Sequence, residues 1–180
     1  MSKVKHAGHK GIEICVSWQP AKDGHIPPNA IEAAPGCFVG RAKHEDCWIP
    51  AKVAEGHTNA YVPYDGKEHS IPEYEVLVCS EIGCYGKGYK WVRKDSGDVP
   101  KKALVAGREK NDEPLYVARG EVDGEMCVGK VHKNHHCAYF PYGGTSTEAK
   151  NTRFWCWASE RICTKAAMAD FFNSQMTNWN

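Results

Sequence analysis

Ala60-Tyr61-Val62-Pro63-Tyr64-Asp65-Gly66 returns as Ala138-Tyr139-Phe140-Pro141-Tyr142-Gly143-Gly144, an offset of 138 − 60 = 78. Working outward, Phe38-Val39-Gly40-Arg41 matches Tyr116-Val117-Ala118-Arg119 at the same offset. Farther upstream, Trp18 and Pro27 match Trp91 and Pro100, at an offset of 91 − 18 = 73. The second copy therefore carries 78 − 73 = 5 extra residues, most simply Lys110-Asn111-Asp112-Glu113-Pro114, where turn formers cluster. A period this long is one supersecondary unit repeated. Two copies of one unit argue for paired binding sites more than for one catalytic cleft.

Each copy reads as short strands. In residues 14–78 the segments Ile14 to Trp18, Cys37 to Val39, Ala60 to Tyr64 and Tyr74 to Val78 are rich in β-branched and aromatic residues. Asp23-Gly24, Pro27-Pro28, Pro35-Gly36 and Asp65-Gly66 punctuate them as turns. Residues 89–158 repeat the pattern with Lys90 to Val92, Leu115 to Ala118, Ala138 to Tyr142 and Arg153 to Trp157. Residues 79–88 form the connector. The expected fold is all-β, two pseudo-twofold-related tandem β-sheet repeats in one compact unit, followed by a short C-terminal α-helix over 159–180. That helix is predicted because Met168, Phe171, Phe172, Met176 and Trp179 fall on one helical face behind Thr164, a plausible N-cap. Its stripe fits packing on the protein's own sheet, or on a second copy or partner.

Composition excludes several classes. With 23 basic against 22 acidic side chains the net charge is +1, and no basic stripe marks a nucleic-acid surface. No stretch approaches the roughly 20 apolar residues of a membrane span. Met1 to Lys10 is polar, without the apolar core of a secretion signal, so a cytoplasmic location is expected, with a non-classical route left open for release. Nine cysteines, an odd number without a leader, read as reduced and semi-buried thiols. Cys79 with Cys84 and Cys156 with Cys163 are the pairs that could bridge in an oxidising setting.

These motifs, ordered and duplicated, resemble the DM-nine repeat family of small β-rich units. The resemblance rests on Trp91, Gly97-Asp98-Val99-Pro100, Glu113-Pro114-Leu115-Tyr116-Val117-Ala118-Arg119, Gly129-Lys130-Val131-His132 and Cys137-Ala138-Tyr139-Phe140-Pro141-Tyr142-Gly143-Gly144. In the first copy it rests on Gly24-His25-Ile26-Pro27-Pro28, Val39-Gly40-Arg41-Ala42, Ile49-Pro50-Ala51-Lys52-Val53 and Tyr64-Asp65-Gly66-Lys67-Glu68-His69. Coverage is roughly residues 14–158. The two-repeat architecture is similar to the invertebrate D-mannose-binding lectins of the family, which serve as pattern-recognition modules. The resemblance implies a mannose-binding lectin of innate immunity, non-enzymatic, acting on microbial or cell-surface glycans and expected as a homodimer. Family members fused to a pore-forming domain carry a long second half, and only 180 − 158 = 22 residues follow Ala158, so pore formation is not expected.

A sugar pocket needs a carboxylate that accepts from neighbouring hydroxyls and a cation that donates to them. By resemblance, Asp23 in its turn and Lys43 at a strand end are the primary pair, supported by Arg41, His44 and Glu45. The second copy departs from this: Ser96 aligns with Asp23, and Glu121 with Lys43. Asp95 or Asp98 with Arg119 or Glu121 could still build a different, second site.

Rival chemistries are less well supported. Cys127, His132, His135, His136 and Cys137 are the right donors for zinc, but their spacing fits no familiar finger or ribbon. No Gly-x-Ser-x-Gly elbow, phosphate loop, His-Glu-x-x-His or dinucleotide fingerprint is present, so no enzyme and no cofactor is expected. No EF-hand-like acidic loop is present, so binding is expected without calcium or another metal. The alternative class is an intracellular scaffold that binds a partner through the C-terminal helix.

Overall fold

The computed structural model describes residues 16–80 and 89–149 in full, and the backbone alone of 5–6 and 151–157. The tail helix expected over 159–180 lies outside the described residues, as does most of the connector. Everything described is strand, turn or loop. After β1 (Lys5–His6), the first copy supplies β2 (Val16–Lys22), β3 (Glu32–Ala34), β4 (Cys37–His44), β5 (Cys47–Ala54), β6 (Ala60–Tyr64), β7 (Lys67–Ile71) and β8 (Glu73–Cys79). The second supplies β9 (Tyr89–Asp95), β10 (Leu104–Arg108), β11 (Pro114–Val122), β12 (Glu125–His132), β13 (Ala138–Tyr142), β14 (Thr145–Ala149) and β15 (Asn151–Trp157). The bounds of β2 and β9 differ by 89 − 16 = 73, and those of β5 and β12 by 125 − 47 = 78. The five extra residues thus fall before β11, in the β10–β11 connection.

Within the first copy the antiparallel order runs β2-β8-β4-β5-β6-β7, and the second copy mirrors it as β9-β15-β11-β12-β13-β14. Two-residue turns with both central residues at positive φ join the hairpins, at Asp65-Gly66, Asp123-Gly124 and Gly143-Gly144. Such turns match the right-handed twist of the strands they connect.

The copies interlock reciprocally. Glu68 N–H donates to Gly144 O (3.2 Å) while Ser146 N–H donates to Gly66 O (3.1 Å), joining β7 to β14. These partners exchange under the 78-residue offset, as a pseudo-twofold axis requires. Arg41 donates to the carbonyl of Ala106 (3.3 Å), and its counterpart Arg119 donates to the carbonyl of Ala33. Each guanidinium lies over the tryptophan of its own copy, Arg41 over Trp18 (4.5 Å) and Arg119 over Trp91 (4.6 Å). The tryptophans and arginines that betray the repeat are therefore its seam.

Three cores follow from this arrangement. One belongs to the second copy, around Val131, Ala138 and Phe140. One belongs largely to the first, around Ile49, Val62 and Val76. The third is shared, with Trp18, Val39 and Leu77 meeting Leu104, Val117 and Val128. At about 1.5–3 kcal/mol per fully buried large apolar side chain, the shared core alone ties the two copies into one folding unit.

Two lysines are buried where the copies meet. Lys52 Nζ donates to Glu125 Oε1 (3.3 Å) and lies 5.6 Å from the Tyr142 ring, whereas Lys130 lies 5.3 Å from the Tyr64 ring. Symmetry would place Cys47, the counterpart of Glu125, beside Lys130. The missing carboxylate comes from Glu109 in the extended β10–β11 connection, which accepts from Lys130 Nζ (3.2 Å) and from the Cys47 thiol (3.4 Å). The five-residue expansion thus lies in the connection that restores a charge balance the first copy cannot supply. Burial, the largest influence, would raise the Glu109 carboxyl, but Lys130, the Cys47 thiol and His132 together outweigh it and hold it below the ordinary carboxylate range. The buried Cys37, Cys47 and Cys127 thiols are all pushed up, chiefly by burial, Cys37 to about 12 and Cys127 to about 11. Thiols with such values are poor nucleophiles at neutral pH.

Candidate functional site

Cross-strand registry places one set of side chains on a common face. Lys43 opposes Trp48 on β5, Arg41 opposes Glu75 on β8, and Lys22 on β2 opposes Glu73 on β8. Opposed residues share a sheet face. At the end of β2 the chain reverses through Asp23 (φ 53°) and Gly24 (φ 78°), closed by His25 N–H donating to Lys22 O (2.9 Å). A turn with two positive φ values suits Asp followed by Gly. Gly24 is required for a second reason, because a Cβ there would come within 2.6 Å of the His57 carbonyl oxygen. Tyr74, buried, donates its hydroxyl to His25 O (3.2 Å) and fixes the turn from below.

The outcome is an open cavity of about 440 Å³ lined by Lys22, Asp23, Lys43, Ile71, Pro72 and Glu73. Asp23 and Lys43 are both exposed. Lys43 makes an ion pair with Asp46 at 3.4 Å, with both side chains more than half exposed. Such a pair is worth little, so the Lys43 ammonium can be redirected to a ligand at small cost.

Arg41 lies deeper and supports the floor. Its Nε donates to Glu75 Oε2 (2.6 Å), and its guanidinium is held between the Trp18 ring (4.5 Å) and the Trp48 ring (4.7 Å). Burial lowers its pKa, and the Glu75 carboxylate opposes that shift. Its role is to fix Trp48, whose backbone is also paired with Arg108 of the second copy.

His44 and Glu45 are not brought to this face. His44 follows Lys43 in an extended strand and so projects oppositely. Its ring packs at 4.2 Å from His69 and 5.1 Å from Tyr64. Burial, then the neighbouring His69, lowers the His44 pKa. Glu45 occupies the β4–β5 turn and pairs with Lys110 of the extended connection at 3.5 Å.

The second-copy candidates occupy the equivalent place with different chemistry. Ser96 and Gly97 repeat the positive-φ turn, closed by Asp98 N–H donating to Asp95 O (3.1 Å). Asp95, Asp98 and Glu121 are exposed, and Asp95 lies 3.8 Å from Arg93. Arg119 packs on Trp91, as Arg41 packs on Trp18. Met126 stands where the first copy has Trp48. The side chains of β15 lie outside the described residues.

The Cys/His stretch does not converge. Cys127 and Cys137 are buried thiols, and His132 stacks on His135 at 4.3 Å while facing Glu109 at 3.5 Å. Among the described residues no three His, Cys, Asp or Glu side chains are grouped as metal ligands would be.

Trp48 and Glu73 were not singled out from the sequence. Recognising that Glu45-Asp46 closes a two-residue hairpin turn would have placed Trp48 opposite Lys43. The signal was present at the repeat offset, because Asp123-Gly124 is a strong hairpin turn at the equivalent position.

A protein of two interlocked β-repeats, with a small polar cavity on the outer floor of the first, is the class defined by these features. The family model of the DM9 repeat matches residues 33–149, and the chain belongs to that family. It is similar to Natterin-4 of Thalassophryne nattereri, 29% identical over 126 residues, which cover 68% of this chain and 29% of that protein. It is also similar to Natterin-3 of the same organism, 32% identical over 66 residues, covering 37% of this chain and 17% of that protein. The chain thus spans under a third of the length of these relatives. The crystal structure of the nematode sperm cell motility protein MFP2B aligns with a TM-score of 0.60, covering 85% of this chain and 48% of that one. At 15% identity this is a likeness of fold.

Proposed function

We propose that the chain is a calcium-independent lectin for mannose-type glycans, serving pattern recognition in innate immunity. The observation that carries this reading is the open cavity lined by both Asp23 and Lys43. An acceptor and a donor on one small cavity suit a pair of adjacent hydroxyls, each of which both donates and accepts. Charge-assisted hydrogen bonds of this kind give orientation as well as affinity. Membership of the DM9 repeat family supports the same reading. Binding needs no metal in this scheme, because side chains alone supply the acceptor and the donor. Single-sugar contacts are weak, so useful affinity for a microbial surface comes from presenting several sites together, through a homodimer or an altered second site at Asp95, Asp98, Arg119 and Glu121. Titration calorimetry with D-mannose in EDTA, with galactose as control, tests the reading. Mannose-selective heat is expected, and silence with both sugars refutes it.

A further inference from the structure

The cavity at Asp23 does not end at Lys43. A second cavity of about 500 Å³ continues along the same face, and the two share Lys22, Lys43 and Glu73 as a common wall. The compartments differ in chemistry. The outer one carries Asp23, whereas the inner one is walled by Pro20, Ala21, Tyr74 and Trp48, with Glu75, already paired with Arg41, beside them. Ligand sites run to about 300–1,000 Å³, so each compartment is of a size to take part of a ligand. A single pyranose held between Asp23 and Lys43 leaves the inner compartment unfilled.

Trp48 is unusually well fixed for a partly exposed aromatic. The Arg41 guanidinium lies 4.7 Å from its ring centroid and is itself held by Glu75 and Trp18. From the other copy, β10 pairs with β5 at Trp48, and Gly107 permits that approach because a Cβ there would fall on the Trp48 carbonyl oxygen. An aromatic side chain immobilised before binding loses little entropy on contact, which is the condition for a productive apolar platform. Met126, at the equivalent place in the second copy, offers no ring.

Resting on the lectin reading above, we infer that the ligand is an oligosaccharide of at least two linked sugars, the first held at Asp23 and Lys43 and the second packed by its C–H face on Trp48. Trp48 is then the residue that separates glycan from free monosaccharide, and only the first copy has it.

Calorimetry on the full chain with mannose and with a panel of mannobioses tests this, using wild type, Trp48→Met and Trp48→Phe. Trp48→Met installs the residue that the second copy carries at the equivalent position, so the fold has a precedent for it. Wild type is expected to bind at least one mannobiose about tenfold more tightly than mannose, the order of an aromatic contact. Trp48→Met is expected to lose that increment, read in each variant as the ratio of mannobiose to mannose affinity, and Trp48→Phe to keep most of it. If mannose binds but no mannobiose binds more tightly, or if Trp48→Met retains the increment, the inference falls and the lectin reading stands. If neither sugar binds, the lectin reading itself fails, and this inference with it.

Discussion

Acid should destabilise this protein through one histidine, and the size of the effect follows from its surroundings. His132 ends β12 with only 10% of its side chain exposed, stacked on His135 and near Lys130. Burial, then the charge of Lys130, then His135, push its pKa from the ordinary 6.5 down to about 4, against a smaller opposing pull from Glu109. The folded value is depressed, so as pH falls the unfolded chain takes up the proton first. Stability is full above 6.5 and is lost progressively between 6.5 and about 4. At about 1.36 kcal/mol per pH unit, a gap of about 2.5 units amounts to about 3 kcal/mol, a sizeable part of the roughly 5–15 kcal/mol typical of a domain. Glu109, held below the ordinary carboxylate range, adds a further loss in the same direction once pH falls below 4.5. Urea denaturation from pH 7 to 4 measures the slope, with His132→Ala as the comparison, since the first copy carries Ala54 at that position. The variant pays a pH-independent packing penalty but should flatten most of the slope, leaving the smaller contribution of His44. Parallel slopes in wild type and variant, or a folded-state His132 ring titrating near 6.5 by NMR, would refute the reasoning.

Asp23→Asn should abolish mannose heat with stability unchanged, because Asn also tolerates the positive φ of this turn. Asp23→Ala should lose the heat and about 1 kcal/mol besides. Unaltered mannose affinity in Asp23→Asn would move the site elsewhere. Arg41→Met should cost about 2 kcal/mol in urea denaturation, because it removes the part-buried guanidinium's charge-assisted bond to Glu75 and its bond to Ala106; a loss under 1 kcal/mol would show the seam to be dispensable. Gly97→Ala should prevent folding, since its Cβ would fall on the His135 carbonyl oxygen, while Gly66→Ala, with open space at the same kind of φ, should cost only about 1 kcal/mol by thermal melting.

The repeat was legible because its markers are large and seldom interchangeable: Trp18 and Trp91, Arg41 and Arg119, the two Tyr-x-Pro-Tyr segments. They sit buried or half-buried at the seam, where each copy needs the same contacts. The strands that escaped notice are those whose pattern carries no alternation. In β5, residues 49 to 53 are buried on both faces, including Pro50 and Lys52, and β12 behaves alike around Gly129 and Lys130. A lysine inside an apolar run reads as a break until its carboxylate is seen, and Glu125 and Glu109 lie 73 and 21 residues away from their lysines. The polar β7 and β14 are strands because each pairs with its hairpin partner and with the other, a fact of assembly rather than of local pattern. For the site, sequence neighbours proved a poor guide to spatial ones. His44 and Glu45 adjoin Lys43 in the chain yet leave its face, whereas Glu73 and Trp48 reach that face through cross-strand registry.

Where the two copies agree and where they part is itself informative. Most seam devices are kept in both: arginine on tryptophan, lysine near tyrosine, positive-φ turns at Gly24 and Gly97; the carboxylate beside the buried lysine is kept by substitution, Glu109 serving where Cys47 replaces the counterpart of Glu125. On the outer floor, Lys22, Asp23, Lys43 and Trp48 of the first copy face Asp95, Ser96, Glu121 and Met126 of the second. Two cations have become carboxylates, the turn carboxylate has become a hydroxyl, and the aromatic ring is gone. Buried contacts tolerate little change, since altering one strands a charge or opens a cavity. Exposed floor positions are free to diverge at little cost in stability. Divergence at every one of these floor positions means that whatever one copy binds there through its donor, acceptor and ring, the other cannot bind in the same way. The expected stoichiometry for one ligand is therefore one per chain, and a calorimetric stoichiometry of two equal sites would show that recognition does not use the floor at all.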